Sequence, residues 1–526
     1  MSAEPQPSLD PAAESPAPDG TAYRIPSDTQ SSMVFREIAA AAEEQRKRGG
    51  QVIVVQGLGF VGAAVAAAIA SASDEAGQPL HYVVGIDLPT PESYWKIGKI
   101  NEGEPPFRSP DTKLPEILRE AVLERGNLRA TTCEEAYALA DVIVVDVHLD
   151  VEDRAAESVD GIRVGLAGFE AAMRTIGRNM RPDALVLVET TVPMGTCERV
   201  ALPILQQERI RRGIREPVRL ANAYERVMPG PGYVDSIRAF RRTYAGIDEE
   251  SAERARAFLS TLIDVDEHPL WQLDDTVSSE LGKLLENSYR SLNIAFMHEW
   301  TQLAEKIGVN LFEVVDSIRV RKGTHDNMRY PGFGVGGYCL TKDSLLAQWS
   351  AANLFGVETV LGMTLTGLKT NYEMPLHTLA LAEELAGGEI AGKTIAVCGV
   401  SYLADVADTR NTPTETLLDA LLEKGARPKV HDPHVVTWIE RPSIEIHQSL
   451  AAALKGADGV VLAVPHGVYL KLSAEDLLAQ LTPGAFVVDA QDILTDEKAR
   501  LLWEAGRPVA GVGKGHWRTK GYHLSG

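Results

Sequence analysis

Cysteine is scarce in this chain: there are four among 526 residues, at positions 133, 197, 339 and 398. They lie far apart, no C-x-x-C occurs, and no Cys/His cluster has zinc spacing, so neither a disulfide scaffold nor a metal site is expected. Long hydrophobic runs are lacking too. The longest, such as residues 63–70, fall far short of the roughly 20 residues that span a bilayer. The N-terminus shows no basic stretch followed by an apolar core, so no secretory signal is expected, and the location expected is cytoplasmic. Positive charge is in deficit, with 52 Lys and Arg against 73 Asp and Glu and a net charge of −21. Such a surface repels nucleic acid and anionic membranes, which are excluded as partners. A polyanionic substrate would need a local basic pocket working against that field.

What is present is an ordinary globular composition, 44% hydrophobic and 24% charged. The length suggests about three domains. Residues 1 to about 30 are rich in Pro, Ser, Ala, Asp and Glu and read as a disordered tail, followed by a short helix around Phe35, Ile38, Ala39 and Ala42. From Gln51 onward, strands alternate with helices. Apolar β-branched runs at residues 51–56, 82–87, 142–147 and 184–188 indicate a parallel sheet covered on both faces. A second such series follows Lys393, at residues 394–398, 428–431, 460–464 and 486–489. Between them, Leu281, Leu284, Leu285, Tyr289, Leu292, Ala295, Phe296, Leu303 and Ile307 recur at helical spacing. The fold class expected is α/β, with two Rossmann-like doubly wound domains joined by a long central helix. Core packing is the main role expected for its apolar stripe, and a dimer surface the second.

Gly57-x-Gly59-x-x-Gly62 directly follows a strand and opens a helix, the context that a dinucleotide fingerprint requires. Its glycines allow a tight turn, close backbone approach to a pyrophosphate, and close helix–strand packing. Phe60 and Val61 fill the turn. Asp87 ends the next strand, where a carboxylate accepts hydrogen bonds from ribose hydroxyls and repels a 2′-phosphate, so NAD is the cofactor expected. Residues 71–79 lengthen the loop between turn and carboxylate. The second α/β half has Gly399-Val400-Ser401 in place of a triple-glycine turn and is not expected to bind a dinucleotide in the same way.

The segment Pro331-Gly332-Phe333-Gly334-Val335-Gly336-Gly337-Tyr338-Cys339-Leu340-Thr341-Lys342-Asp343 sets a cysteine among glycines. So many glycines predict a backbone held close to a ligand. A nearby cation and backbone amides favour a thiolate, which marks Cys339 as a nucleophile.

At this point the sequence resembles the UDP-glucose/GDP-mannose dehydrogenase family, over nearly all of the chain from about residue 50 onward. Besides the glycine turn, Glu189-Thr190-Thr191-Val192-Pro193-Met194-Gly195-Thr196 resembles its S-T-V-P-x-G-T loop, and Tyr224-Glu225-Arg226-Val227-Met228-Pro229-Gly230 its P-E-R-x-x-P-G segment. Lys283-Leu284-Leu285-Glu286-Asn287 with Asn293-Ile294-Ala295 is similar to its central-helix motif. Gly336 to Asp343 is similar to its nucleophile loop, Asp408-Thr409-Arg410-Asn411-Thr412-Pro413 to its D-T-R-x-S-P turn, and His431-Asp432-Pro433 to its later H-D-P. The chain departs from the pattern at His148-Leu149 for a usual Thr-Pro, Tyr224 and Thr341 for prolines, and Leu403 for a common lysine.

The resemblance implies a tail and short helix over 1–48, an NAD-binding Rossmann domain over 49–270, a central helical domain over 271–388 and a nucleotide-sugar-binding Rossmann-like domain over 389–526. It implies oxidation of a nucleotide-linked sugar's C6 alcohol to the acid by a homodimer or higher homo-oligomer. The four-electron chemistry needs a thiohemiacetal and then a thioester on Cys339. Lys283 and Asn287, one turn apart, fall on the family's functional pair for the alkoxide. Asp343, Thr191 and Glu225 fall on its water-positioning residues, with the base open between Asp343 and Glu225. A salt bridge from Asp343 to Lys283 is an alternative role. Thr191 and Lys342 join the cofactor set, and Gly336, Glu225, Lys283, Asn287 and Arg410 the substrate set, Arg410 in its own or a neighbouring subunit. The substrate expected first is UDP-glucose, giving UDP-glucuronate, from the Tyr338–Asp343 pattern. Glu225-Arg226 with Pro229-Gly230 leans to a UDP-N-acetylhexosamine, and GDP-mannose stands behind both. A two-electron hydroxyacid dehydrogenase and an NAD-binding protein without turnover are the competing classes.

Overall fold

The computed structural model describes residues 14–152, 161–227 and 230–523. Met228 and Pro229 of the Tyr224–Gly230 motif, and residues 1–13 of the tail, lie outside the described residues. The chain forms two compact units. The first takes in the chain up to Glu152 with Ile162–Leu284 and Trp349–Thr359; the second takes in Leu285–Gln348 and the chain from Val360 onward.

The tail is not wholly without structure. Strands β1 (Glu14–Pro16) and β2 (Ala22–Arg24) pair antiparallel. The buried Ser15 hydroxyl donates to Pro91 O at 2.5 Å and accepts from Trp95 N at 2.9 Å, while Tyr23 Oη donates to Glu102 at 2.6 Å. With these polar anchors go, among the tail's described residues, only two buried apolar side chains, Ala17 and Ile25, too few to form the apolar run that marks a strand in the sequence. The following helix is long, Asp28–Lys47, and begins at a capping box made by Ser27 and Gln30.

The first unit holds an eight-stranded sheet. Its strands are β3 (Gln51–Gln56), β4 (His81–Ile86), β5 (Leu128–Thr131), β6 (Val142–Val145), β7 (Leu185–Val188), β8 (Arg219–Asn222), β9 (Thr243–Gly246) and β10 (Trp271–Gln272), in the order β10-β9-β8-β7-β6-β3-β4-β5. Every pair is parallel except β8–β9. Alternate residues of β3 feed separate cores, Ile53 and Val55 on one face and Val52 and Val54 on the other. That explains its unbroken apolar run. The loop that delays Asp87 is a short excursion in which Asp74 accepts from the amides of Ala76 and Gln78, closed by a bridge between Ser73 and Pro79.

The second unit holds a six-stranded, fully parallel sheet: β11 (Thr394–Cys398), β12 (Arg427–His431), β13 (Ile446–His447), β14 (Gly459–Leu462), β15 (Phe486–Asp489) and β16 (Val509–Gly511), in the order β13-β12-β11-β14-β15-β16. The chain passes between the units along a helix of 32 residues, Thr276–Ile307. Its apolar stripe departs from the core role expected of it. Leu284 and Ala295 are buried, but Leu285, Tyr289, Phe296, Trp300, Leu303 and Ile307 lie exposed in the single chain.

Candidate active site

In the first unit, candidate residues gather at the carboxyl ends of β3, β6, β7 and β8, where parallel α/β sheets bind ligands. Gly57 has a φ of 93°, and a Cβ there would lie 2.5 Å from Asp146 O. A Cβ on Gly62 would lie 1.8 Å from Gly57 O, so only glycine lets the helix Phe60–Ala70 start tight against the turn. Gly59 has nothing within 4 Å of its Cβ position, leaving the turn open on the side from which a phosphate would come. Gly59 is also the N-cap of that helix, which starts without a side-chain cap and so offers its partial positive charge outward. Tyr233 Oη donates to Phe60 O at 2.8 Å and braces the first turn. The Asp87 carboxylate accepts from Leu58 N at 3.0 Å and has Lys96 Nζ 3.4 Å away.

Thr191 is buried in the loop that follows β7. The amides of Gly195 and Cys197 in that loop donate to Glu280 at 2.5 and 2.8 Å. Glu280 is almost fully buried, and burial pushes its carboxyl up to about 7 despite those amides. Lys283, one turn further along the helix, is buried and donates to Glu225 O at 2.8 Å, with Glu225 Oε1 3.8 Å away. Glu225 Oε2 accepts from Val227 N at 2.5 Å. The Glu225 carboxylate is thus close to Lys283.

Reading the sequence missed the acidic core behind this loop. Glu189 and Arg242 form a fully buried ion pair. Asp146, immediately after β6, has both carboxylate oxygens buried without a hydrogen-bond partner among the described residues. Burial raises its proton affinity well above the usual carboxylate range, and Glu189 and Glu225 add to that. The available signal was a carboxylate directly following four β-branched residues, Val142 to Val145.

Cys339 lies in the second unit. The other three cysteines are sealed in cores, where burial pushes the thiols of Cys133 and Cys398 up to about 12 and that of Cys197 well above its usual value. Cys339 alone is partly exposed. Its carbonyl accepts from Asp343 N at 3.0 Å as the helix Asp343–Asn353 begins. Lys342 and Asp343 are fully buried and paired at 2.9 Å, and Asn287 Nδ2 donates to the other Asp343 oxygen at 2.6 Å. Lys342 Nζ also lies 4.5 Å over the Tyr338 ring. The structure therefore gathers Asn287, Lys342 and Asp343 in one unit, as it gathers Lys283 and Glu225 in the other.

The glycines before Cys339 have a reason other than the one expected. A Cβ on Gly336 would lie 2.5 Å from Tyr402 Cβ and 2.8 Å from Asn411 O, one on Gly337 2.8 Å from the Tyr402 ring, and one on Gly334 2.5 Å from Pro413 Cβ. Residues after β11 thus pack directly against these glycines. Burial, with Asp408 adding to it, raises Tyr402 well above the usual tyrosine value. Arg410 is held two-pronged by Asp408, at 2.9 and 2.6 Å, with its guanidinium 5.9 Å from the Tyr338 ring. In the second sheet, Asp432 accepts from Val400 N at 2.8 Å and Ser401 N at 3.2 Å, so the turn after β11 turns its amides to the chain's own carboxylate.

Comparison with known proteins agrees with this layout. The chain is 28% identical to a UDP-N-acetyl-D-mannosamine dehydrogenase of Pyrococcus horikoshii, over 88% of this chain and 99% of that protein. It is 27% identical to the one of Methanocaldococcus jannaschii, over 86% and 94%. A crystal structure of an NDP-N-acetyl-D-galactosaminuronic acid dehydrogenase from Methanosarcina mazei Go1 superposes with a TM-score of 0.74 at 27% identity, covering 91% of this chain and 98% of that one. Residues 51–263 match the NAD binding domain of one family, 277–367 its central domain and 396–496 its UDP binding domain. With an NAD turn, a partly exposed cysteine and a second parallel sheet falling in that order, the chain belongs to the UDP-glucose/GDP-mannose dehydrogenase family.

Proposed function

We propose that this protein oxidises the C6 alcohol of a UDP-N-acetylhexosamine to the carboxylate through a covalent intermediate on Cys339. The preference over UDP-glucose, the substrate first expected, draws its support from the relatives at 27–28% identity, which bear UDP-N-acetyl-D-mannosamine in their names. The observation that carries the mechanism is that Cys339 is the one thiol of four outside a core.

NAD supplies the hydride acceptor, and the uncapped helix start, Gly57, Gly59, Phe60, Val61, Gly62, Asp87 and Thr191 suit it. Taking the alcohol to the aldehyde removes one hydride. The Cys339 sulfur then adds to the aldehyde carbon, and loss of the second hydride from the thiohemiacetal leaves a thioester. Water cleaves the C–S bond, releasing the acid and the thiol. Lys283 donates to the alkoxide oxygen. Asn287 and Lys342 both donate to Asp343 and hold it oriented, a role we give Lys342 in preference to cofactor contact. Asp343 is the base in this reading, since both of its oxygens are aimed by donors. Glu225 positions Lys283 through the carbonyl at 2.8 Å, and Thr191 serves the hydrolytic water. Arg410 meets the substrate's charge when it leaves Asp408.

Assaying NADH release over UDP-N-acetylmannosamine, UDP-N-acetylgalactosamine, UDP-glucose and GDP-mannose tests this. Two NADH per sugar are expected, fastest with an N-acetylhexosamine, and Cys339→Ser should form no acid. One NADH per sugar, or full acid formation by the variant, removes the covalent mechanism; fastest turnover of UDP-glucose removes the substrate choice alone.

A further inference from the structure

The carboxyl edge of the second sheet carries a cluster that the reaction does not use. His434 follows β12, His466 follows β14, and Asp405 lies in the loop after β11, so three neighbouring parallel strands each deliver one side chain to one place. His434 Nε2 is 3.2 Å and His466 Nδ1 3.7 Å from Asp405 Oδ1, and the three ligand atoms lie within 4.8 Å of one another. Among the described residues this is the one group of three His, Cys, Asp or Glu side chains gathered so closely. Nothing in the sequence spacing announces it, because the residues are 29 and 32 positions apart and meet only through the parallel sheet.

We infer that Asp405, His434 and His466 bind a divalent first-row transition ion such as Zn2+. Two imidazoles and a carboxylate suit such an ion, with a fourth position left for water. The surroundings are built as metal sites are built. His466 Nε2 lies 3.1 Å from Asp432 Oδ2, and His466 Nδ1 accepts the Asp405 amide at 2.9 Å. That pairing sets the tautomer with the proton on Nε2 and the lone pair on Nδ1, the atom that faces the cluster. Asp432 also accepts from the amides of His434 and Val435 at 2.8 and 3.0 Å, so one buried carboxylate orients one ligand ring and the backbone of the other. Ligation by Nδ1 costs the single hydrogen bond to the Asp405 amide. Asp405 and His434 are partly exposed and give the ion a path from solvent.

The test uses untagged full-length protein, stripped with a chelator and dialysed. Zn2+ is titrated against a chromophoric competitor, and Co2+ is added separately to read the visible d–d bands of a low-coordinate nitrogen and oxygen site. One equivalent of tight Zn2+ is expected, with affinity falling about 100-fold or more in His434→Ala, since even second-shell losses cost 10–100-fold. Asp405→Asn, which tolerates the φ of 57° at that position, should weaken binding as well and leave far-UV circular dichroism unchanged. No saturable binding by the parent protein, or stoichiometric binding that survives both substitutions, overturns the site.

Discussion

Glu280 shows what one buried carboxyl does to this protein. Its pKa of about 7 lies above the usual carboxylate value, so the folded chain keeps a proton that the unfolded chain releases from about pH 4.5 upward. Its contribution to stability is therefore best below that range, declines as pH rises to about 7, and is constant beyond. The span corresponds to roughly 3 kcal/mol. Glu280→Gln should flatten that decline, so the variant's thermal midpoint should gain on the parent's between pH 5 and pH 8. Parallel pH profiles for the two proteins would refute the assignment. At the same scale, chemistry-bearing side chains were easier to find in the sequence than the groups that hold them. Cys339, Lys283, Asn287 and Asp343 stand in recognisable motifs. Asp146, Glu280 and the Glu189–Arg242 pair do not, because whether a carboxylate in a loop is buried depends on strands far away in the chain.

Among the elements, the apolar strands were read directly: β3, β4, β6, β7 and β11 are buried on both faces and are rich in β-branched and other apolar residues. β5, β8 and β9 escaped because polar or small residues break up their apolar runs. The hairpin β1–β2 escaped because its strands are three residues long and carry no apolar run. The glycine-rich loop before Cys339 was found, but its glycines answer to Tyr402, Asn411 and Pro413. A pair of substitutions separates a packed glycine from an idle one. Gly336→Ala drives a methyl into Tyr402 Cβ and the Asn411 carbonyl and should cost about 1–3 kcal/mol. Gly168→Ala, in the helix Ala167–Asn179 with nothing near its Cβ position, should add about 0.5–1 kcal/mol. Thermal midpoints moving in opposite directions would bear this out; a neutral Gly336→Ala would mean that the loop yields without strain.

For the molecule as a whole, the exposed row on the long helix is the feature a lone chain explains least. Phe296, Trp300, Leu303 and Ile307 stay open to solvent together with Leu285 and Tyr289. A run of that kind suits association, and we propose that two copies pair through this helix. Trp300→Glu should convert the dimer to monomer in analytical ultracentrifugation while leaving circular dichroism unchanged; an unaltered sedimentation coefficient would move the contact elsewhere.

Glu280 has one more effect, and it is mechanical. It stands one turn before Lys283 on the same helix and grips the end of the loop that carries Thr191, at Gly195, and the start of the helical segment after it, at Cys197. Should that helix slide or rotate by a fraction of a turn, the loop would be dragged along in step. Lys283 and Thr191 would then keep their mutual spacing through any such excursion, yoked by a single carboxylate.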